Sequence, residues 1–220
     1  MAGFIAGVAR FHRDVYPGKQ QLFEKLSQGQ SPEALFIACS DSRVDPALIT
    51  QTDPGELFVC RNAGNLVPPY AAAAESMIAS IEFAVAALGV RHIVVCGHTE
   101  CGAMKGALNP ESLSSLPGVA NWVTYAQGAV AAAQKLAEGE SAARLLRVTT
   151  EQNVLLQLEH LETHPSVAAK RAEGAIELHG WIYDIEAGDV HACDAERSEF
   201  VAIGERYAEA RVDDRGGSAV

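Results

Sequence analysis

Two short apolar runs, each ending in a residue that binds metals well, most constrain what this chain can fold into. Residues 35–38 run directly into Cys39, and residues 92–97 run into His98. Short continuous apolar runs are typical of strands buried in a parallel sheet. Open α/β sheets bind their ligands at the carboxyl ends of such strands. We therefore expect Cys39 and His98 to meet at one edge of a sheet.

The residues that follow these runs form a candidate zinc site. Cys39, His98 and Cys101 offer two thiolates and an imidazole, which Zn²⁺ favours, and a tetrahedral ion needs a fourth donor. Asp41 is the candidate for that place: its carboxylate either binds the ion or stands off and hydrogen-bonds to a water on it. Arg43 is placed to pair with Asp41 and hold it back. The role of Asp41 decides between a closed structural site and an open catalytic one.

The cysteines allow other interpretations. His98 and Cys101 alone also fit a thiol nucleophile beside its base, and the addition of Cys39 and Asp41 favours the metal. A disulfide framework is not expected, because five cysteines are an odd number and the chain is long enough to bury a core. The remaining three thiols are interpreted as packing residues: Cys60, Cys96 and Cys193.

Residues 39–44 and 97–102 resemble the two signature segments of the β-class carbonic anhydrases, in particular of the bacterial, plant-like subtype. Further segments are similar to the family in the same order along the chain: 29–32, 53–59, 61–65, 102–106, 151–154 and 179–184. The resemblance extends from near residue 10 to near residue 200. Motifs of this length, order and spacing are specific to a family.

The resemblance implies reversible hydration of carbon dioxide to bicarbonate and a proton, by attack of zinc-bound hydroxide. It implies one Zn²⁺ per chain, held by Cys39, His98 and Cys101. Asp41 and Arg43 would form a catalytic dyad, with Asp41 as fourth ligand if the site is closed. Because two thiolates offset the charge of the ion, we expect a pH optimum on the alkaline side.

The resemblance also implies a narrow carbon dioxide pocket. By position, Gln30, Phe58 and Ala63 line it, and Gly102 offers its backbone N–H at the start of a helix. In the family this pocket is built across a dimer interface, so Gln30 and Phe58 are expected to serve the zinc of a neighbouring protomer. A homodimer, or a tetramer or octamer built from dimers, is therefore implied.

Two positions depart from the family pattern. Phe83 stands where many plant-like members carry Tyr, so the pocket wall lacks that hydroxyl. Phe36 stands where members inhibited by bicarbonate at a separate site carry Trp. We therefore expect the open, constitutively active subtype.

The order of elements predicts an α/β fold, with a mainly parallel central sheet, an antiparallel edge strand, flanking helices and an N-terminal helical arm. One domain is expected over 1–220, with the arm at 1–30 and a disordered tail at 210–220. A hairpin turn at 186–189 is predicted to lead into the edge strand, 190–193. Helices are predicted at 5–16, 19–27, 71–87, 117–160 with a break and an N-cap at Ser141, and from Pro165.

Composition excludes several classes of function. The formal net charge of −11, without a basic stripe, argues against nucleic acid and against anionic membrane surfaces. Residues 1–9 are too short to span a bilayer and lack leading positive charge, so cytoplasm is the expected location. The histidines outside the motif could each relay protons but carry no paired motif, and most are interpreted as surface or packing residues: His12, His92, His160, His164, His179 and His191.

Two other functions use the same residues. The site would also suit carbon disulfide or carbonyl sulfide, which are linear molecules of similar size. Alternatively, the metal only braces a scaffold or regulator. An exchangeable Asp41 beside Arg43 is poorly suited to a purely structural site.

Overall fold

The computed structural model describes residues 1–71, 75–194, 196–197 and 199–208. Its strands are β1 (Ala34–Cys39), β2 (Leu57–Asn62), β3 (His92–His98), β4 (Glu177–Tyr183), β5 (Val190–Asp194) and β6 (Glu199–Ala202). They form one sheet of order β2-β1-β3-β4-β5-β6. The first four strands in that order pair in parallel, and β5 and β6 are added antiparallel. The predicted mainly parallel sheet and the hairpin are confirmed.

The predicted position of the edge strand was wrong. Residues 190–193 were expected at the edge, but β6 pairs with β5 in antiparallel register and takes that place. The four residues of β6 contain only two large apolar side chains, Phe200 and Val201. So short a run does not stand out from a loop in the sequence.

Helices cover both faces of the sheet. In the described part of the chain the α-helices are α1 (Ala2–Arg10), α2 (Gln20–Leu26), α3 (Pro46–Thr50), α4 (Glu75–Glu82), α5 (Gly102–Leu108), α6 (Pro117–Trp122), α7 (Gln127–Leu136), α8 (Ala142–Glu162), α9 (Pro165–Ala172) and α10 (Ile203–Arg206). None of them is long and apolar enough to cross a membrane. The predicted N-cap is confirmed, since the Ser141 hydroxyl accepts from the Arg144 N–H at 3.2 Å. The tail predicted at 210–220 lies outside the described residues.

The core explains why the strand sequences are continuously apolar. One face of β1 and β3 packs under α4, α8 and α9. On the opposite face their side chains cluster with Val44 and with Ile49 of α3, beside side chains of the neighbouring strands β2 and β4. Alternate residues of each strand point to opposite faces. Strands covered on both faces have no polar side to show in the sequence.

Helix α8 packs on the sheet over two strand positions that are glycine, Gly97 and Gly180. A Cβ atom at Gly97 would lie 2.9 Å from a methyl of Val154, and one at Gly180 would lie 2.9 Å from its other methyl. Real Cβ atoms do not approach so closely. The two glycines therefore set the height of α8 above the carboxyl end of β3.

We predict that Gly97→Ala lowers the free energy of unfolding by about 1–3 kcal/mol, because the added methyl overpacks the α8 interface. Urea unfolding measures the change. Gly118→Ala is the matched control: its Cβ meets nothing within 4 Å, so it should leave stability unchanged or slightly raised. Equal stability of Gly97→Ala and wild type would contradict the packing argument.

Candidate metal centre

Three potential ligands converge at the carboxyl edge of the sheet. Cys39 is the last residue of β1, His98 is the last residue of β3, and Cys101 follows immediately before α5. All three are buried, and their ligand atoms lie within 4.8 Å of one another. The structure thus brings together the three residues that the sequence proposed as zinc ligands.

Cys101 reaches this cluster through a sharp turn after β3. Glu100 adopts a left-handed conformation with φ 59°, which is uncommon for a residue other than glycine. Its carboxylate pairs with the ammonium of Lys105 one turn along α5. The strained position lies directly beside a candidate ligand, where functional sites often hold such backbone.

The His98 ring is oriented as a metal ligand would be. Its Nδ1 contacts the Thr99 carbonyl oxygen at 2.8 Å, and since that oxygen accepts only, Nδ1 carries the proton. Nε2 is therefore left with a lone pair, is buried and has no hydrogen-bond partner among the described residues. A buried nitrogen without a partner is costly unless it binds something. The donor set of two thiols and this nitrogen fits a bound metal.

The two thiols titrate as a pair. A hydrogen bond from Cys101 lowers the pKa of Cys39 to about 4 despite its burial. The Gly64 N–H also donates to the Cys39 sulfur, at 3.3 Å. The same thiolate, together with burial, raises the pKa of Cys101. One thiolate therefore forms readily, and the remaining proton stays with Cys101.

Asp41 and Arg43 form a bidentate ion pair beside the cluster. Arg43 donates from Nε to Oδ1 at 2.9 Å, from Nη2 to Oδ2 at 2.7 Å and from its backbone N–H to Oδ1 at 3.0 Å. These hydrogen bonds hold the pKa of Asp41 well below its usual range. Its Oδ2 lies 3.9 Å from the unpartnered Nε2 of His98. The carboxylate is thus ionised and close to the cluster, but held by Arg43.

Sequence reasoning missed Arg61 as a residue that supports the site. Its guanidinium donates to the Cys39 carbonyl at 3.1 Å and to the Asp41 carbonyl at 2.8 Å, so it stabilises the backbone between Cys39 and Asp41.

Asn153 and Gln157 were missed as well, although polar residues on the buried side of a long helix are a usable signal. Asn153 donates to the Gly64 carbonyl at 3.1 Å and so supports the loop that contacts Cys39.

The predicted pocket residues divide into two groups. Ala63 precedes Gly64 at the cluster, where its carbonyl accepts from the Trp122 indole at 2.9 Å, and Gly102 follows Cys101. Phe58 pairs with Leu35, four residues before Cys39, which places it about 13 Å along the sheet from the cluster.

Gln30 is exposed ahead of β1, beside the turn at 53–56. The structure therefore does not bring Gln30 or Phe58 to the cluster of their own chain. A cleft of about 340 Å³ opens next to the dyad and is lined by Arg43, Thr99, Glu100 and Arg147 among others.

Comparisons of the sequence with protein families and with individual proteins point to the same family. A family model described as carbonic anhydrase matches residues 34–190. The chain is 48% identical over 220 residues to a carbonic anhydrase of Pseudomonas aeruginosa, covering 100% of both. A carbonic anhydrase of Synechococcus elongatus is 44% identical over 206 residues, which are 93% of this chain and 76% of that protein.

Solved structures agree with the sequence comparisons. The β-carbonic anhydrase CcaA superposes with a TM-score of 0.90 at 44% identity, covering 92% of this chain and 98% of that chain. One of two tetrameric β-carbonic anhydrases from Sordaria macrospora gives a TM-score of 0.74 at 30% identity, covering 87% and 92%. With this fold, these relatives and the cluster of Cys39, His98 and Cys101, the chain belongs to the β class of the carbonic anhydrases, enzymes whose general reaction is the hydration of carbon dioxide.

Proposed function

We propose that this protein catalyses the reversible hydration of carbon dioxide to bicarbonate and a proton with one Zn²⁺ per chain, held by Cys39, His98 and Cys101. The observation that carries the proposal is the buried cluster itself, in which three donor atoms converge and one of them lacks any other partner. Two thiolates and an imidazole favour Zn²⁺ over Mg²⁺ or Ca²⁺. When bound, zinc acidifies a water ligand and so supplies a nucleophile near neutral pH.

Asp41 is proposed as the group that orients the attacking water. As an ionised carboxylate it can only accept hydrogen bonds, so it would accept one from that water and so turn an oxygen lone pair towards the substrate carbon. Arg43 keeps Asp41 ionised and away from the ligand nitrogen by three hydrogen bonds. This pairing supports the open form of the site as the resting form.

The environment of Phe36 is consistent with the open form. The ring is buried and packs edge-to-face on Trp181, with ring centroids 5.8 Å apart. A phenyl ring offers no N–H donor at this position. We therefore propose that the chain belongs to the subtype without bicarbonate-dependent closure of the site.

A homodimer is proposed as the smallest competent unit. Helix α1 buries none of its residues, and its apolar side chains Phe4, Ile5 and Val8 are 79%, 64% and 69% exposed. These side chains fall on one face of the helix. We propose that a second protomer covers this face and that its Gln30 and Phe58 line the pocket, which these two residues do not reach within one chain.

The dyad assignment predicts that Asp41→Asn and Arg43→Ala retain zinc but lose carbon dioxide hydration. We expect a fall in kcat of about 10² or more, because the attacking water is no longer held in the productive orientation. Stopped-flow hydration assays, with zinc content determined on the same samples, make the measurement. Arg147→Ala is the matched control, because Arg147 lines the same cleft but pairs with Glu151 at 3.0 Å.

Wild-type rates in either dyad variant would refute the roles of Asp41 and Arg43. Stoichiometric zinc without turnover in the wild type at pH 7 and pH 8.5 would instead refute the proposed reaction and favour a structural metal. The two results are distinguishable, because only the second involves the unmodified protein.

The dimer predicts a second result. Replacing Ile5 and Val8 together by Glu should dissociate the oligomer in sedimentation velocity and abolish turnover, because the pocket loses the neighbour's residues. Ala6→Glu, on the opposite side of α1, is the control and should leave both unchanged. A monomeric double variant with full activity would show that one chain suffices.

A further inference from the structure

A second group of metal-binding side chains lies at the opposite end of the sheet from the metal centre. His92 begins β3, and Glu177 and His179 lie in β4; we call these three residues the histidine cluster. His92 and Glu177 face each other in the parallel register, and His179 is two residues further along β4. Residues two apart in a strand share a face, so all three side chains project from the same side of the sheet.

The ligand atoms of the histidine cluster are close enough to share one ion. His92 Nδ1 lies 3.1 Å from His179 Nε2, and Glu177 Oε2 lies 3.8 Å and 3.7 Å from these two nitrogens. Bonds of about 2.0–2.2 Å at tetrahedral angles separate neighbouring donors by about 3.3–3.6 Å. Shifts of less than an ångström would therefore seat a metal ion among the three atoms.

The surroundings orient His179 for such a role. Its Nδ1 lies 2.9 Å from the Tyr207 hydroxyl, which also accepts from the Trp181 indole at 3.4 Å. The Tyr207 hydroxyl can accept from Nδ1 or donate to it; in the tautomer in which it accepts, Nδ1 carries a proton and the Nε2 lone pair faces His92 Nδ1. Metal-binding histidines commonly donate their second N–H in this way. Burial, followed by the nearby His92, lowers the pKa of His179 and favours the neutral ring.

The site is open to solution on its outer side. The side chains of His92 and Glu177 are 34% and 69% exposed, whereas that of His179 is 16% exposed. An ion can thus enter directly and keep water ligands. Arg206, whose guanidinium lies over the Tyr207 ring, is a nearby positive charge that opposes binding, and the Glu177 carboxylate offsets it.

We propose that the histidine cluster is a second, exchangeable site for a divalent first-row transition metal, separate from the Cys39 centre. Two imidazoles and one carboxylate with open positions suit Zn²⁺, Co²⁺ or Ni²⁺ and do not suit Mg²⁺ or Ca²⁺. His92 and His98 begin and end β3, so the two sites lie about 20 Å apart. A bound ion would join β3 to β4 at their amino ends.

Cobalt titration of the zinc-loaded protein tests the proposal. We expect one additional Co²⁺ per chain, measured by isothermal titration calorimetry and by metal analysis after equilibrium dialysis against cobalt. Its absorption spectrum should lack the intense sulfur-to-cobalt band that exchange into the cysteine site would produce. His92→Gln and Glu177→Gln should each weaken this binding at least tenfold, and the double variant should abolish it.

Glu33→Gln is the matched control. It removes the same charge at the same end of the sheet, but Glu33 pairs with Arg91 at 2.7 Å and is outside the histidine cluster. Its cobalt affinity should equal that of the wild type. Both cluster substitutions are on partly exposed side chains, and the retained zinc at Cys39 reports that each variant is folded.

Absence of the additional cobalt in the wild type would overturn the proposal. So would equal binding by the wild type and the double variant, or a spectrum with the sulfur-to-cobalt band alone. None of these results bears on carbon dioxide hydration, because the experiment starts from protein whose cysteine site is already filled.

Discussion

The parallel pairing of β1 with β3 is the constraint on which the metal centre depends. Its register sets Ala38 opposite Cys96, so that Cys39 and His98 leave the sheet at the same edge. A slip of one residue would turn every side chain of one strand to the opposite face. Because both strands are buried on both faces, core packing resists such a slip and holds the two ligands together before any ion binds.

A continuous set of hydrogen bonds extends this rigidity from α8 to the Cys39 sulfur. Gln157 accepts from the Val67 N–H at 2.8 Å and donates to Asn153 at 3.0 Å, and Asn153 donates to the Gly64 carbonyl at 3.1 Å. Gly64 in turn donates its N–H to the sulfur. Buried polar groups of this kind stabilise only when all are paired. The loop beside Cys39 is therefore fixed by a helix that contributes no ligand.

The parts of the structure that the sequence predicted share a physical cause. Buried parallel strands require unbroken apolar runs, so β1 and β3 were visible, and the ends of those runs located Cys39 and His98. The support given by Arg61 was not visible, because it depends on which carbonyl groups lie within reach of its side chain after folding. The pairing of His92 with His179 was not visible either, since only the β3–β4 register brings them together.

The chemistry of the two donor sets follows from their places in the fold. At the carboxyl end of β3 the donors are buried and two of them are sulfur, so an ion there is held by soft ligands that bulk solvent does not reach. At the amino end, the carboxylate is largely exposed and none of the three donors is a thiol, so a bound ion would retain water and exchange more readily. Burial and soft ligands thus favour a retained ion at the carboxyl end of β3, whereas exposure favours an exchangeable ion at its amino end.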